Sequence, residues 1–301
     1  MSVTLPVEPA RPTLPARPTL PAVSRRRELG ETSARSLLMT VLGEYVLPGG
    51  TPVWTSALVR ALGLLGVEEK AARQSLARSS AEGWLGSQRA GRQVCWQLTE
   101  PGRRLLSDGA RRIYSFGRQD RPWPGQWLVL LVSVPETRRE LRHRLRTRLQ
   151  WAGFGSPAPG VWLSPHTGTE AEARQILADL GLAAASVSLL AGNGSIGSGA
   201  GLARQAWDLN AVAARYSDFI GEFTGMLPAG PSSPDDSRVF TAATRLVHEW
   251  RRFPFLDPQL PAELLPPDWI GTAAARLFGE RHERWHGGAQ RYWDCLTGHP
   301  R

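Results

Sequence analysis

The chain has 301 residues, 42 % of them hydrophobic, with 36 Lys+Arg against 27 Asp+Glu for a net charge of +9. That apolar content supports packed cores, excludes wholesale disorder, and at this length fits two or three domains. The longest apolar runs, such as 127–132, fall far short of the ~18–20 residues a membrane span needs, and two cysteines, Cys95 and Cys295, make no disulfide scaffold and suit a reducing cytoplasm. The charge is uneven: residues 1–150 carry 24 basic and 12 acidic side chains, residues 151–301 carry 12 and 15. A basic N-terminal half points to a polyanionic partner.

Residues 1–32 open with a repeat, Ala10-Arg11-Pro12-Thr13-Leu14-Pro15 followed by Ala16-Arg17-Pro18-Thr19-Leu20-Pro21. Proline every third residue favours polyproline II over helix, so a disordered tail is expected. Arg11, Arg17 and Arg25 to Arg27 offer a minor-groove arm as a second reading. Ser33 then caps a helix over 34–47, with Leu37, Leu38, Val41, Leu42 and Tyr45 on one stripe. Pro48-Gly49-Gly50 stops it, and two further helices fit 55–65 and 68–82. Short strands over 84–89 and 93–98 flank Ala90-Gly91-Arg92, and Thr99-Glu100-Pro101-Gly102 opens a closing helix. Three helices, a hairpin with arginines at its tip and a closing helix are the parts of a winged helix-turn-helix, expected over 33–118.

At 100° per residue the third helix turns Ala72, Leu76 and Ser79 inward. Its opposite side carries Lys70, Arg73, Gln74, Ala77 and Arg78, a basic face with small residues between. Such a face can enter a major groove, where Arg pairs with guanine and Gln with adenine. Arg89 and Arg92 in the hairpin are placed to meet phosphate or minor groove. Ser79 is out of place on an inner face where Leu would pack better.

A second domain is expected over 124–191. A strand at 127–134, an arginine-rich helix at 138–151, strands near Phe154 and over 161–163, a helix at 169–180 and a strand at 185–190 follow in the order β-α-β-β-α-β of a ferredoxin-like sandwich. The run Gly192-Asn193-Gly194-Ser195-Ile196-Gly197 matches G-x-G-x-x-G, but it follows the last strand of its unit, so a linker over 192–203 is expected. Residues 204–301 read as helical, with helices over 207–223, 239–253 and 269–286 and a short piece near Tyr292. His282 and His286 lie one turn apart but find no third metal ligand in the sequence. The fold class expected is α+β and multidomain.

Several segments then coincide with one family. They include Arg73-Gln74-Ser75-Leu76-Ala77-Arg78, Gly83-Trp84-Leu85, Leu98-Thr99-Glu100-Pro101-Gly102-Arg103, Trp127-Leu128-Val129-Leu130 and Pro159-Gly160-Val161-Trp162. Near the C-terminus come Leu246-Val247-His248-Glu249-Trp250-Arg251-Arg252-Phe253-Pro254, Asp257-Pro258-Gln259-Leu260-Pro261 and Leu264-Leu265-Pro266-Pro267-Asp268-Trp269. Over about 33–296 the sequence resembles the PaaX family of bacterial transcriptional repressors, which control phenylacetate catabolism. The resemblance implies a winged-helix DNA reader, a middle domain like the small CRISPR-associated nucleases, and a helical effector and dimerisation domain. It also implies a homodimer on a palindromic double-stranded operator, released by an aryl-acetyl-CoA such as phenylacetyl-CoA. Ser79 departs from the family's usual Leu.

Arg204, His248, Arg251 and Arg252 are candidate effector contacts, although structural ion pairs account for the arginines as well. No cofactor and no metal are implied. A metal-dependent nuclease is the first alternative, but Ser133 stands where such enzymes need an aspartate at the end of the first strand. An acyl-CoA-acting enzyme is the second, but there is no G-x-S-x-G elbow, and His248 and Glu249 diverge by about 100° on a helix. A fragment of residues 1–120 is expected to keep weak DNA binding and to ignore the thioester.

Overall fold

The computed structural model describes residues 33–117, 122–227 and 235–298. The segment 1–32, with its expected tail and minor-groove arginines, lies outside them. Ser33 caps the first helix, its Oγ accepting from the Ser36 amide at 3.1 Å. Helix α1 (Ala34–Val41) runs through a π-type turn (Leu42–Val46) into a last turn (Leu47–Gly49), and Gly50 at φ +63° ends it. After the short β1 (Val53–Trp54) come α2 (Thr55–Leu64) and α3 (Glu69–Ala81), joined across Gly66 at φ +84°. Strands β2 (Leu85–Ala90) and β3 (Gln93–Leu98) form an antiparallel hairpin in which Ala90 pairs with Gln93 across Gly91-Arg92. Gly91 takes φ +62°, the conformation a two-residue hairpin asks of its first loop residue. The sheet order is β1-β3-β2, and α4 (Glu100–Ser115) follows, capped by Thr99.

The middle region is a second sheet with two helices on one face. Strand β4 (Gln126–Val132) leads to α5 (Arg139–Trp151), β5 (Gly155–Ala158), β6 (Val161–Ser164), α6 (Glu170–Asp179) and β7 (Ser186–Gly192). The strand order is β5-β6-β4-β7, with every neighbouring pair antiparallel. Alternation along β4 divides its side chains between two cores. Leu128, Leu130 and Val132 pack with Leu145, Leu149 and Leu177 of the helices. Trp127 and Val129 face the other way, toward Ala203, Leu209, Leu260 and Leu264.

That second core changes the reading of 192–203. Helix α7 (Gly199–Ala206) begins inside the expected linker, capped by Ser198, and Ala203 is fully buried. A β-carbon on Gly155 would stand 2.5 Å from the Trp207 ring, so β5 accepts the end of this segment only as glycine. Helices α8 (Leu209–Thr224) and α9 (Asp236–Trp250) follow, then the single turn α10 (Phe253–Leu256) and α11 (Ile270–Thr297). The helix expected over 269–286 and the piece near Tyr292 are thus one element. Gly287 and Gly288 do not break it because α9 comes close there: a β-carbon on Gly288 would meet Val239 at 3.0 Å, and Arg291 pairs with Asp236 at 2.7 Å.

The principal core is shared between the two ends of the chain. Leu37, Leu38, Val41, Tyr45 and Phe116 belong to the same buried cluster as Tyr216, Phe240, Trp250, Phe278 and Trp293. Tyr45 lies 4.9 Å from Phe240 and 5.4 Å from Trp293, and Phe116 lies 5.5 Å from Trp250. The hydrophobic stripe of α1 therefore meets α9 and α11 as well as α2 and α3.

Candidate nucleic-acid interface

Helix α3 buries Ala72, Ser75, Leu76 and Ser79, and leaves Lys70, Arg73, Gln74, Ala77 and Arg78 exposed. These five share one outward face, as their spacing requires. Ser79 is wholly buried and its hydroxyl donates to the Ser75 carbonyl at 2.9 Å, while Ser75 donates to Ala71 at 2.8 Å. The polar atoms on the inner face are thus satisfied within the helix. Glu69 holds Arg73 at 2.7 Å, an exposed pair one turn apart that breaks cheaply. Arg89 and Arg92 are exposed on β2 and at the hairpin tip.

Among the residues that fix the angle of this face, Arg35 and Glu82 were not singled out in the sequence. Arg35 of α1 grips Glu82 at the end of α3, with one contact at 2.8 Å, and its guanidinium lies 4.8 Å over the Trp84 ring. The pair neutralises the carboxylate that would otherwise repel phosphate at that end. The Trp84 amide donates to Ser79 at 2.9 Å, and its carbonyl accepts from Thr99 at 3.1 Å. Trp84 therefore ties α3, the hairpin and α4 together. Its proximity to Gly83 hinted at a turn, but nothing in local spacing announces a partner 49 positions away.

Of the candidate effector residues, His248, Arg251 and Arg252 lie together at the end of α9, while Arg204 is on α7. His248 is buried against α1, with Nδ1 3.0 Å from the Thr40 hydroxyl. Arg251 donates to the Ser36 carbonyl at 3.2 Å and to the Ser36 hydroxyl at 2.8 Å. Arg252 pairs with Glu249 at 2.8 Å. Arg204 is exposed on α7. Two of the four thus fasten α9 to the first helix. The Asp257 carboxyl, its pKa raised by burial, accepts from the Tyr216 hydroxyl at 2.7 Å and the Gln259 amide at 2.6 Å. Gln259 itself takes φ +53°, and its carbonyl lies 3.0 Å from His166 Nε2. Leu260 and Leu264 then enter the core behind the middle sheet. The Asp257-Pro258-Gln259-Leu260-Pro261 segment is a staple between the helical region and that sheet.

Burial lowers the His248 pKa to about 3, with Arg251, Arg252 and Arg245 adding positive charge nearby. Unfolded, the same imidazole takes its proton near 6.5. The unfolded chain binds more protons between those values, so the contribution of neutral His248 is whole above the upper one and is lost as pH falls toward the lower. At about 1.4 kcal/mol per unit, some 2 kcal/mol should be gone by about pH 5. Denaturant unfolding of wild type and His248→Asn at pH 7 and pH 5 checks this. Equal pH dependence in the two proteins would remove His248 as the cause.

Near the same interface Glu44 accepts from the Tyr114 hydroxyl and lies 3.4 Å from His282 Nε2. The His282 and His286 rings are 5.7 Å apart. Among the described residues no group of three or more His, Cys, Asp or Glu is arranged to hold a metal ion. No helix among them is long and apolar enough to cross a membrane.

These features define a mixed α/β protein of three regions, the first presenting a basic helix beside a basic hairpin and sharing its core with the last. Three family models match in the same order: "PaaX-like protein" over 33–102, "PaaX protein central Cas2-like domain" over 120–201, and "PaaX-like protein C-terminal domain" over 207–295. The chain is 31 % identical over 259 residues to the transcriptional repressor PaaX of Escherichia coli (strain K12), covering 84 % of this chain and 80 % of that protein. An uncharacterized protein of Mycobacterium tuberculosis is similar in structure, with a TM-score of 0.56 and 25 % identity, covering 88 % of this chain and 99 % of that one. The chain belongs to the PaaX family.

Proposed function

We propose that this protein is a cytoplasmic DNA-binding transcriptional repressor that reads its operator with α3. The observation that carries the reading is the outward face of α3 in a chain 31 % identical to a named repressor. In this reading residues 33–117 are a winged helix-turn-helix: α2 and α3 form the helix pair, and β2 and β3 the wing. The middle region is a ferredoxin-like sandwich, supported by the antiparallel order β5-β6-β4-β7. The protein acts as a homodimer on a palindromic operator and is released by an aryl-acetyl-CoA such as phenylacetyl-CoA. Strand β7 supports self-association, since it is an edge with Val187, Leu189 and Leu190 between 47 and 61 % exposed. Release requires that the thioester bind the DNA-free form better than the DNA-bound form. The protein uses no cofactor. The nuclease reading is not favoured, because Ser133 offers a hydroxyl where a hard dication wants a carboxylate.

A gel shift on the DNA upstream of the protein's own gene, with and without phenylacetyl-CoA, tests the reading, and the mass of the shifted complex reports its stoichiometry. Arg73→Ala and Arg78→Ala should each weaken binding by roughly 1–3 kcal/mol with the fold intact. Arg89→Ala and Arg92→Ala should weaken all sequences alike and lower the salt slope by about one each. Wild-type binding by both α3 variants would mean that another surface reads the operator. One protomer per complex, or a shift indifferent to the thioester, would sink the dimer or the effector assignment separately.

A further inference from the structure

The helix α5 of the middle region carries a second basic surface. Leu145 and Leu149 are buried in the middle core, with Leu141 packed beside them. On the far side Arg139, His143, Arg146 and Gln150 are all exposed. They recur at i, i+4, i+7 and i+11, which at 100° per residue confines them to an arc of about 60°. The stripe they make is about 16 Å long, the rise of about five base pairs of duplex. Arg144 is exposed further round the helix, and Arg138 is exposed just before its start.

The acidic groups nearby are mostly committed elsewhere. Glu136 pairs with Arg142 at 2.8 Å, and Asp179 of α6 pairs with Arg148 at 3.0 Å. The first pair borders the stripe and the second lies beside the leucine face, and both leave Arg139 and Arg146 outside them. Glu140 is exposed on the same first turn and is the one carboxylate of α5 itself. A helix whose structural arginines are already paired has no folding need for further arginines along its outer line. Packing is supplied by the leucines, and like charges one turn apart cost a few tenths of a kcal/mol each.

We propose that the Arg139–His143–Arg146–Gln150 face of α5 is a second, sequence-independent contact with the phosphate backbone of duplex DNA. The proposal rests on the DNA-binding reading and extends it to the middle region. Guanidinium groups along a helix meet phosphates in pairs of parallel hydrogen bonds, while Gln150 adds a neutral donor at the end of the line. Such a contact adds affinity and leaves base preference to α3.

The test uses the full chain, with Arg139→Ala/Arg146→Ala and Arg139→Lys/Arg146→Lys variants. Binding to the upstream DNA and to a random-sequence 40-bp duplex is measured over a salt series. Each lost phosphate contact lowers the slope of log K against log salt by about 0.9, so the alanine pair should lower it by about 2 on both duplexes. The ratio of specific to random binding should stay unchanged, and the lysine pair should restore the wild-type slope. Thermal unfolding checks that both variants fold, as substitution of exposed side chains predicts. A wild-type slope in the alanine pair overturns the proposal while leaving the α3 reading intact. A change of oligomeric state with no change of slope also overturns it, and would assign the stripe to a second copy of the chain. Absence of duplex binding by the wild type would take down both readings together.

Discussion

Residues 33–117, produced without the rest of the chain, are expected to show no cooperative unfolding transition and no operator binding. The reason is the shared core. Tyr45 and Phe116 are only 5 % and 6 % exposed in the full chain, and the rings they meet, Phe240, Trp293 and Trp250, all lie beyond residue 235. Returning two aromatic side chains to water costs roughly 3–6 kcal/mol, against a total of about 5–15 kcal/mol for a typical domain. The fragment also loses the hydrogen bonds from Arg251 to Ser36, from Arg112 to Pro254, and between Tyr45 and Thr244. This outcome differs from the weak binding expected from sequence for a fragment of residues 1–120, and the shared core is the reason. Urea unfolding followed by circular dichroism, together with a gel shift, decides the matter. A sigmoidal transition in the fragment with native-like operator affinity would show that the reader stands alone.

The same contacts constrain how the proposed effector would act. A reader built into the core of α9 and α11 moves with them, because packed interiors do not deform continuously. The contacts between this body and the middle sheet include the cluster of Leu209, Leu260 and Leu264 with Trp127 and Leu163, the Trp127–Trp207 stack, the His166–Gln259 hydrogen bond and the Trp151–Phe255 ring contact at 6.1 Å. In the proposed dimer, displacement at that staple would change the spacing of the two readers without unfolding either. Effector variants that keep DNA binding but lose release are therefore expected among residues 257–265 sooner than within α9.

Much of this arrangement was legible in the sequence, and the illegible parts share a cause. Helical periodicity located α1 to α3, and the caps Ser33 and Thr99 marked two helix starts, because both signals are local. The β-α-β-β-α-β order was legible because alternating runs and turn residues are local too. What spacing does not encode is which surface a stripe meets. The leucines of α1 served equally well as the core of a separate reader, and only the fold reveals that Tyr45 packs on Phe240 and Trp293. For His248 and Arg251 the sequence left a ligand-contacting and a structural role both open. Their partners Thr40 and Ser36 are more than 200 residues away, and neither is unusual in sequence. The continuation of α11 through Gly287-Gly288, where a helix over 269–286 and a short piece near Tyr292 were expected, depends on the close approach of α9, which is itself nonlocal.

Replacing Gly102 by alanine is expected to destabilise the protein by roughly 3 kcal/mol or more, the sum of an overpacked contact and a lost cap. In an ordinary helix the change stabilises by about 0.5–1 kcal/mol. Here the new β-carbon would stand 2.2 Å from the Trp84 carbonyl oxygen and 3.0 Å from its carbon. Both are backbone atoms, and Trp84 has little room to retreat, since its amide is bonded to Ser79 and its carbonyl to Thr99. If α4 withdraws instead, the Thr99 cap on the Gly102 amide at 3.2 Å is lost with the Thr99–Gly83 hydrogen bond at 2.6 Å. Either movement shifts the hairpin against α3, so Arg89 and Arg92 no longer present their charges at the angle α3 requires, and DNA affinity should fall along with stability. Gly109→Ala supplies the control, because it lies in the same helix with nothing within 4 Å of the added carbon. It should gain the few tenths to one kcal/mol that helix propensity gives, with unchanged DNA binding. Urea midpoints for the two variants should therefore move in opposite directions from wild type. A Gly102→Ala protein as stable as Gly109→Ala would mean that the Trp84 carbonyl is not held where the hydrogen bonds place it.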